Sequence, residues 1–257
     1  MRAPGASALR AVVFDFYGTI AWHGQAPASP YAQVFARHGY QLDEAHEAAY
    51  FASYDGVAHL EHSASQAAYE AWVRRRHEEL ARSCGVPDDD VALVVERLRA
   101  EDHRPVVAYP DAAETLAALR RRGFRLGVCS NWGWDLDVSI GQAGLAHLID
   151  AAVTSARVGF RKPHSQIYVA ITDQLGVSPT ETLFVGDSFH PDVTGPLALG
   201  MQAAHVWRTT APSGREPPPL PTEAGRVSQV GELLAWPRLA AAAAGPGDGA
   251  PPEAGAP

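Results

Sequence analysis

Four groups of polar residues stand at the ends of short apolar runs, and their types suit nucleophilic attack beside a bound cation. Asp15-Phe16-Tyr17-Gly18-Thr19 follows the run Ala11-Val12-Val13-Phe14, and Ser130-Asn131 follows a run ending at Cys129. Arg161-Lys162-Pro163 opens a helical pattern, and Gly186-Asp187-Ser188 closes the run 183–185 with Asp192 behind it. A carboxylate at such a place can attack an electrophilic centre and form a covalent intermediate. A second and third carboxylate would hold a hard, oxygen-seeking cation such as Mg²⁺. Lys162 would offset the gathered negative charge and keep the nucleophile ionised, while Thr19 and Ser130 offer hydroxyl donors to an oxyanion. Gly18 and Gly186 let the backbone come close to a bound group.

These residues converge only if their carriers form one sheet. The stretches 10–16, 124–129, 151–154, 183–185 and 203–207 read as continuous apolar runs rather than alternating ones, the pattern of strands covered on both faces. Helical patterns separate them, notably 111–122 and 165–175, each closed by a glycine. Such alternation predicts an α/β fold with a parallel sheet and crossover helices, whose ligands sit beyond the carboxyl ends of the strands. Between about 23 and 105 the sequence carries helical patterns at 31–38, 44–54, 66–83 and 88–102 and no strand, so an all-helical insertion is expected there. Beyond 209 a loop with Pro217-Pro218-Pro219 and a short helix near 229–236 precede an Ala/Gly/Pro tail. That tail, 238–257, is expected to be disordered for want of apolar surface to bury. No internal repeat is present.

The 257 residues are 46% hydrophobic and 19% charged, enough for a large core. No apolar run reaches the roughly 18 residues of a membrane span. The 21 Lys and Arg against 29 Asp and Glu give a net charge of −8, which argues against general binding to a nucleic-acid backbone. Cys84 and Cys129 make no disulfide framework, and the N-terminus lacks a secretory apolar stretch. The expectation is a cytoplasmic protein acting on a small molecule, with neither membrane nor nucleic acid as partner. Monomer and homodimer both remain open.

In order and type, the four groups resemble the motifs of the haloacid dehalogenase superfamily, whose members are mostly phosphatases. The resemblance spans about 11–22 and 105–208 and implies a Rossmann-like core, 1–22 and 105–237, with a helical cap at 23–104. Asp15 and Ser130 are 115 positions apart, which leaves room for a cap, whereas the following steps of 32 and 25 positions hold one strand and helix each. The resemblance implies Asp15 as nucleophile, Thr19 as the hydroxyl of the first motif, and Ser130 with Asn131 as the second. Lys162 matches the third motif, and Asp187 with Asp192 the fourth. It also implies Mg²⁺ held by Asp15, Asp187, the Tyr17 backbone carbonyl and Asp192.

One position departs from the phosphatase pattern. Most family phosphatases carry a second Asp two residues after the nucleophile, which protonates the leaving alcohol and then activates water; this chain has Tyr17. A phenol is a poor base at neutral pH. The first motif instead resembles that of the L-2-haloacid dehalogenases, while the acidic fourth motif resembles the Mg²⁺-dependent phosphatases. The expected function is therefore an aspartate-based, Mg²⁺-dependent hydrolase of a small phosphorylated metabolite. The alternatives are a metal-independent 2-haloacid dehalogenase and a non-catalytic binding descendant. His23 and His190 are candidate substitutes for the missing acid. Trp132 or Trp134 is expected to line the pocket, Cys129 to be core, and His59, His62 and Arg74-Arg75-Arg76 to lie on solvated helix faces.

Overall fold

Ala11, Val12, Val13 and Phe14 are all fully buried because their strand is covered on both sides. Val12 and Phe14 pack into one apolar cluster, Ala11 and Val13 into another, as strand geometry requires of alternate side chains. The computed structural model describes residues 8–24, 29–54, 56–208 and 216–240. In it this strand, β1 (Ala11–Phe14), lies inside a six-stranded parallel sheet.

After β1 come β2 (Ala21–Trp22), four helices, α1 (Pro30–Arg37), α2 (Glu44–Ala52), α3 (Gln66–Ser83) and α4 (Asp88–Asp102), and then β3 (Val107–Ala108), which pairs antiparallel with β2. The chain then alternates through α5 (Ala112–Arg121), β4 (Arg125–Ser130), α6 (Leu136–Gln142), β5 (Ala151–Thr154), α7 (Ser155–Val158), α8 (Ser165–Leu175), β6 (Thr182–Gly186), α9 (Gly195–Ala198), β7 (Gln202–Val206) and β8 (Ala224–Val227). The sheet order is β5-β4-β1-β6-β7-β8, every pair parallel, so all carboxyl ends share one edge. Among the described residues no helix is long and apolar enough to cross a membrane.

The four inserted helices bury their own apolar cluster, with Phe35, Val94, Val95 and Leu98 fully enclosed. Ser29, Asp43 and Ser65 cap α1, α2 and α3 by accepting backbone N–H groups. Two expectations fail here. Arg74 does pair with Glu96 at 2.8 Å, but the Arg76 guanidinium lies 3.8 Å from the Tyr54 ring centre instead of on a solvated face. His59 is buried and stacks with His62 on Trp72, at 4.8 and 5.0 Å between ring centres. Burial pushes His59 down to about 4, so it is a neutral packing ring.

Elsewhere the strands and helices fall within a few residues of expectation. The structure adds α6, the single-turn helices α7 and α9, the short β2–β3 pair and β8. The 229–236 stretch is a tight turn helix, Val230–Ala235. Leu239, expected in the unstructured tail, is fully buried in the main cluster, while 241–257 lie outside the described residues.

Trp236 fixes the far edge of the sheet. A Cβ at Gly225 of β8 would stand 2.4 Å from Trp236 Cη2 and 2.7 Å from Cζ2, so the bare backbone is the surface on which the indole rests. Gly225→Ala is expected to cost about 1–3 kcal/mol in urea unfolding through overpacking. An unchanged midpoint would show that the indole does not need this contact.

Candidate active site

The register of β1 determines what surrounds Asp15. Phe14 pairs with Val128 of β4 on one side and with Val185 of β6 on the other. The residue after Phe14 therefore emerges between the ends of two neighbours, Ser130 and Asp187 among them, at the point where the chain switches direction across the sheet. The Asp15 N–H donates to the Val185 carbonyl at 2.8 Å, which holds the carboxylate at this edge.

Lys162, between α7 and α8, reaches the same point and is 2% exposed. Its ammonium donates to Asp15 Oδ1 at 2.6 Å and to Asp192 Oδ1 at 2.7 Å. Burial works against the charge, but the two carboxylates outweigh it and hold the ammonium above its ordinary range. Ser130 Oγ donates to the same Asp15 oxygen at 2.9 Å, so both bonds fall on Oδ1 and Oδ2 is left for chemistry. Asn131 braces the lysine from its backbone: Nδ2 donates to the Lys162 carbonyl at 3.0 Å, and Oδ1 accepts the Lys162 N–H at 2.7 Å. Lys162 is also the only lysine in a chain whose other basic residues of this kind are all arginine. A compact tetrahedral ammonium fits between two buried carboxylates where a planar fork does not.

Asp15, Asp187 and Asp192 bring oxygens within 4.8 Å of one another. Two glycines make this approach feasible. A Cβ on Gly18 would lie 2.4 Å from Asp187 Oδ2, and one on Gly186 would lie 2.3 Å from Asp192 Cγ. Gly18 also has φ +83°, the left-handed region. Burial, reinforced by the charges of Asp15 and Asp192, holds the Asp187 carboxyl well above the usual carboxylate range. Thr19 Oγ1 donates to it at 3.4 Å, and His205 on β7 donates from Nε2 to the Asp187 carbonyl at 3.0 Å. The His205 tautomer follows from Arg226, which donates to Nδ1 at 3.3 Å. An all-oxygen donor set with one ammonium for three carboxylates fits a hard divalent cation.

Within this set each side chain has its own partners. Asp192 Oδ1 accepts from Lys162 and Oδ2 accepts from the Ser188 N–H at 2.9 Å, so it also braces the lysine and the loop beside the cluster. Thr19 and Ser130 donate to Asp187 and Asp15, and Asn131 donates to the Lys162 carbonyl. His190 is exposed and sits 3.3 Å from Thr194. His23 does reach Tyr17, with ring centres 4.8 Å apart, and lies 3.1 Å from the Pro105 carbonyl. Tyr17 is 41% exposed, stacks toward Trp132 at 6.1 Å, and is a weaker acid than free phenol chiefly through burial. Cys129 is fully buried and its thiol is pushed up to about 12 by desolvation. Both Trp132 and Trp134 line the adjoining cavity. His205 and the uniqueness of Lys162 escaped the motif-based reading; the lysine count carried the second signal.

Relatives carry both chemistries. The chain is 34% identical over 102 residues to the glyceraldehyde 3-phosphate phosphatase of Methanothermobacter thermautotrophicus, covering 38% of this chain and 44% of the relative. It is 26% identical over 177 residues to (S)-2-haloacid dehalogenase 4A of Burkholderia cepacia, covering 64% and 76%. The L-2-haloacid dehalogenase structure from Xanthobacter autotrophicus superposes with a TM-score of 0.59 at 25% identity, covering 88% of this chain and 98% of that one. The chain spans about half the length of the curated phosphatases it matches. A family profile for haloacid dehalogenase-like hydrolases matches residues 9–200, from β1 through β6 and α9 and ending ahead of β7. With the fold, the converging carboxylates and this match in agreement, the chain belongs to the haloacid dehalogenase-like hydrolases.

Proposed function

We propose that this hydrolase is a Mg²⁺-dependent phosphatase in which Asp15 carries the phosphoryl group. The observation that supports this most is Asp187, a third carboxylate packed against Asp15 and Asp192 with one ammonium among them. Attack on a haloacid carbon has no need of it; a dianionic phosphate with a cation beside it does. Asp15 Oδ2 attacks phosphorus, the P–O bond to the alcohol breaks, a solvent proton goes to the leaving oxygen, and an aspartyl phosphate forms. Water then attacks phosphorus, gives its proton to solvent, the P–O bond to Asp15 breaks, and inorganic phosphate leaves. Lys162 and Ser130 hold Oδ1 so that Oδ2 faces the substrate. Asp15, Asp187 and the Tyr17 carbonyl would hold Mg²⁺, which supplies positive charge against the phosphoryl oxygens. Asp192 and Asn131 keep Lys162 in place. The helices α1–α4 act as the cap that shields the intermediate from bulk water.

Tyr17 favours a second reading in one respect, because halide departs without a proton. Release of chloride from 2-chloropropionate that persists in EDTA would establish it. The phosphatase reading expects phosphate release from acetyl phosphate and phosphomonoesters that needs Mg²⁺ and falls by at least about 10³-fold in Asp15→Asn.

Tyr17→Asp restores a carboxylate two residues after the nucleophile. It is expected to raise kcat on alkyl phosphates by about 10²-fold, the scale of general acid–base catalysis; equal or lower turnover would show that another group already supplies the proton. Saturating Mg²⁺ is expected to raise the melting temperature of the wild type, by about 2–4 °C per kcal/mol of binding energy, and not that of Asp187→Asn. The same upward shift in both proteins would remove Asp187 from the cation site.

A further inference from the structure

The cavity between the sheet edge and the inserted helices has a wall composition that the chemistry at Asp15 does not require. It encloses about 420 Å³ and begins at Tyr17 and Asn131, the residues beside the reacting carboxylate. Eight of its 23 described lining residues are Phe, Tyr or Trp, in a chain that is 9% aromatic. Val73 is the only branched aliphatic among them. A wall for an aliphatic chain is more economically built from Leu, Ile and Val; rings prefer rings, edge-on or offset.

Two of these rings are incompletely packed. Tyr17 on the core side is 41% exposed and Phe51 on the α2 side is 42% exposed, and among the described residues they are the only large exposed apolar ones that border the cavity. Both have aromatic neighbours already in place: Trp132 beside Tyr17, and Tyr50 beside Phe51 at 5.2 Å between ring centres. The charges around them are unequal. Five carboxylates, Glu47, Glu70, Glu101, Asp102 and Asp135, face two guanidiniums. Arg99 is engaged by Glu70 at 3.5 Å, and Arg161 lies 4.0 Å from the Tyr54 ring centre, next to Lys162 in the chain and so at the phosphate end. A second anionic group on the substrate would meet mostly carboxylates.

Resting on the phosphatase reading, we infer that the substrate is a phosphate monoester whose alcohol carries a flat aromatic ring, neutral or cationic, held between Tyr17 with Trp132 and Phe51 with Tyr50. The cavity volume falls in the range of small-molecule sites and accommodates a ring with a short linker.

The test compares 2-phenylethyl phosphate with 2-cyclohexylethyl phosphate. Both release a primary alcohol of similar acidity and size, so only flatness differs. With Mg²⁺ the phenyl ester is expected to show kcat/KM at least about fivefold higher, the factor that ring–ring contact adds to equal apolar area. Phe51→Ala, checked for folding by circular dichroism, is expected to bring that ratio toward one. Hydrolysis of both esters at equal kcat/KM would overturn the inference and leave the phosphatase reading intact. If neither ester nor acetyl phosphate is hydrolysed, the phosphatase reading fails. The inference, which rests on that reading, then falls with it, whereas hydrolysis of acetyl phosphate with neither ring ester turned over would overturn the inference alone.

Discussion

The bond between the Lys162 ammonium and two buried carboxylates is the constraint on which this site depends. Bringing Asp15 and Asp192 out of water is costly unless a cation lies between them, and the loop ahead of α8 delivers one at 2.6 and 2.7 Å. Removing either partner of such a pair costs about 3–5 kcal/mol, because a charge is left buried alone. The surroundings serve this contact. Asn131 grips the lysine backbone, Asp192 ties Ser188 to it, and bare Cα atoms at Gly18 and Gly186 let the carboxylates close in. A chain that uses arginine everywhere else keeps one lysine here.

The sheet and the inserted helices contribute different things. Parallel pairing of β1 with β4 and β6 sets the polar groups at one edge through register, so the site is built on the middle of the sheet. The helices bury a core of their own and offer the cavity a wall of rings. On the proposed reading chemistry and selectivity reside on separate elements, meeting at Tyr17, which belongs to the first motif in sequence and to the aromatic wall in space.

Much of this was legible in the residues. β1, β4, β5, β6 and β7 announced themselves as apolar runs because both faces of each are covered. β8 did not, since Ala224-Gly225-Arg226-Val227 is an edge strand with one bulky apolar residue and a glycine for Trp236. α6 was missed for similar reasons: Leu136–Gln142 contains a glycine and only three buried residues. At the site, the types and order of Asp15, Ser130, Lys162, Asp187 and Asp192 foretold their meeting. Their individual bonds were hidden, because which oxygen of Asp192 meets Lys162 depends on a helical turn that no spacing encodes. His59, in the turn ahead of α3, and Arg76, on that helix, misled for a related reason: polar residues read as solvated until aromatic partners such as Trp72 and Tyr54 cover them.

The account turns on a phosphoryl group borne by Asp15. Its most direct test is to acid-quench the enzyme during turnover, reduce with borohydride, and map peptides by mass spectrometry. An acyl phosphate at Asp15 is converted to the side chain of homoserine, and the account predicts that product at position 15 only when phosphorylated substrate and Mg²⁺ are both present. An unmodified Asp15 during active phosphate release, or reduction at another carboxylate, would contradict it.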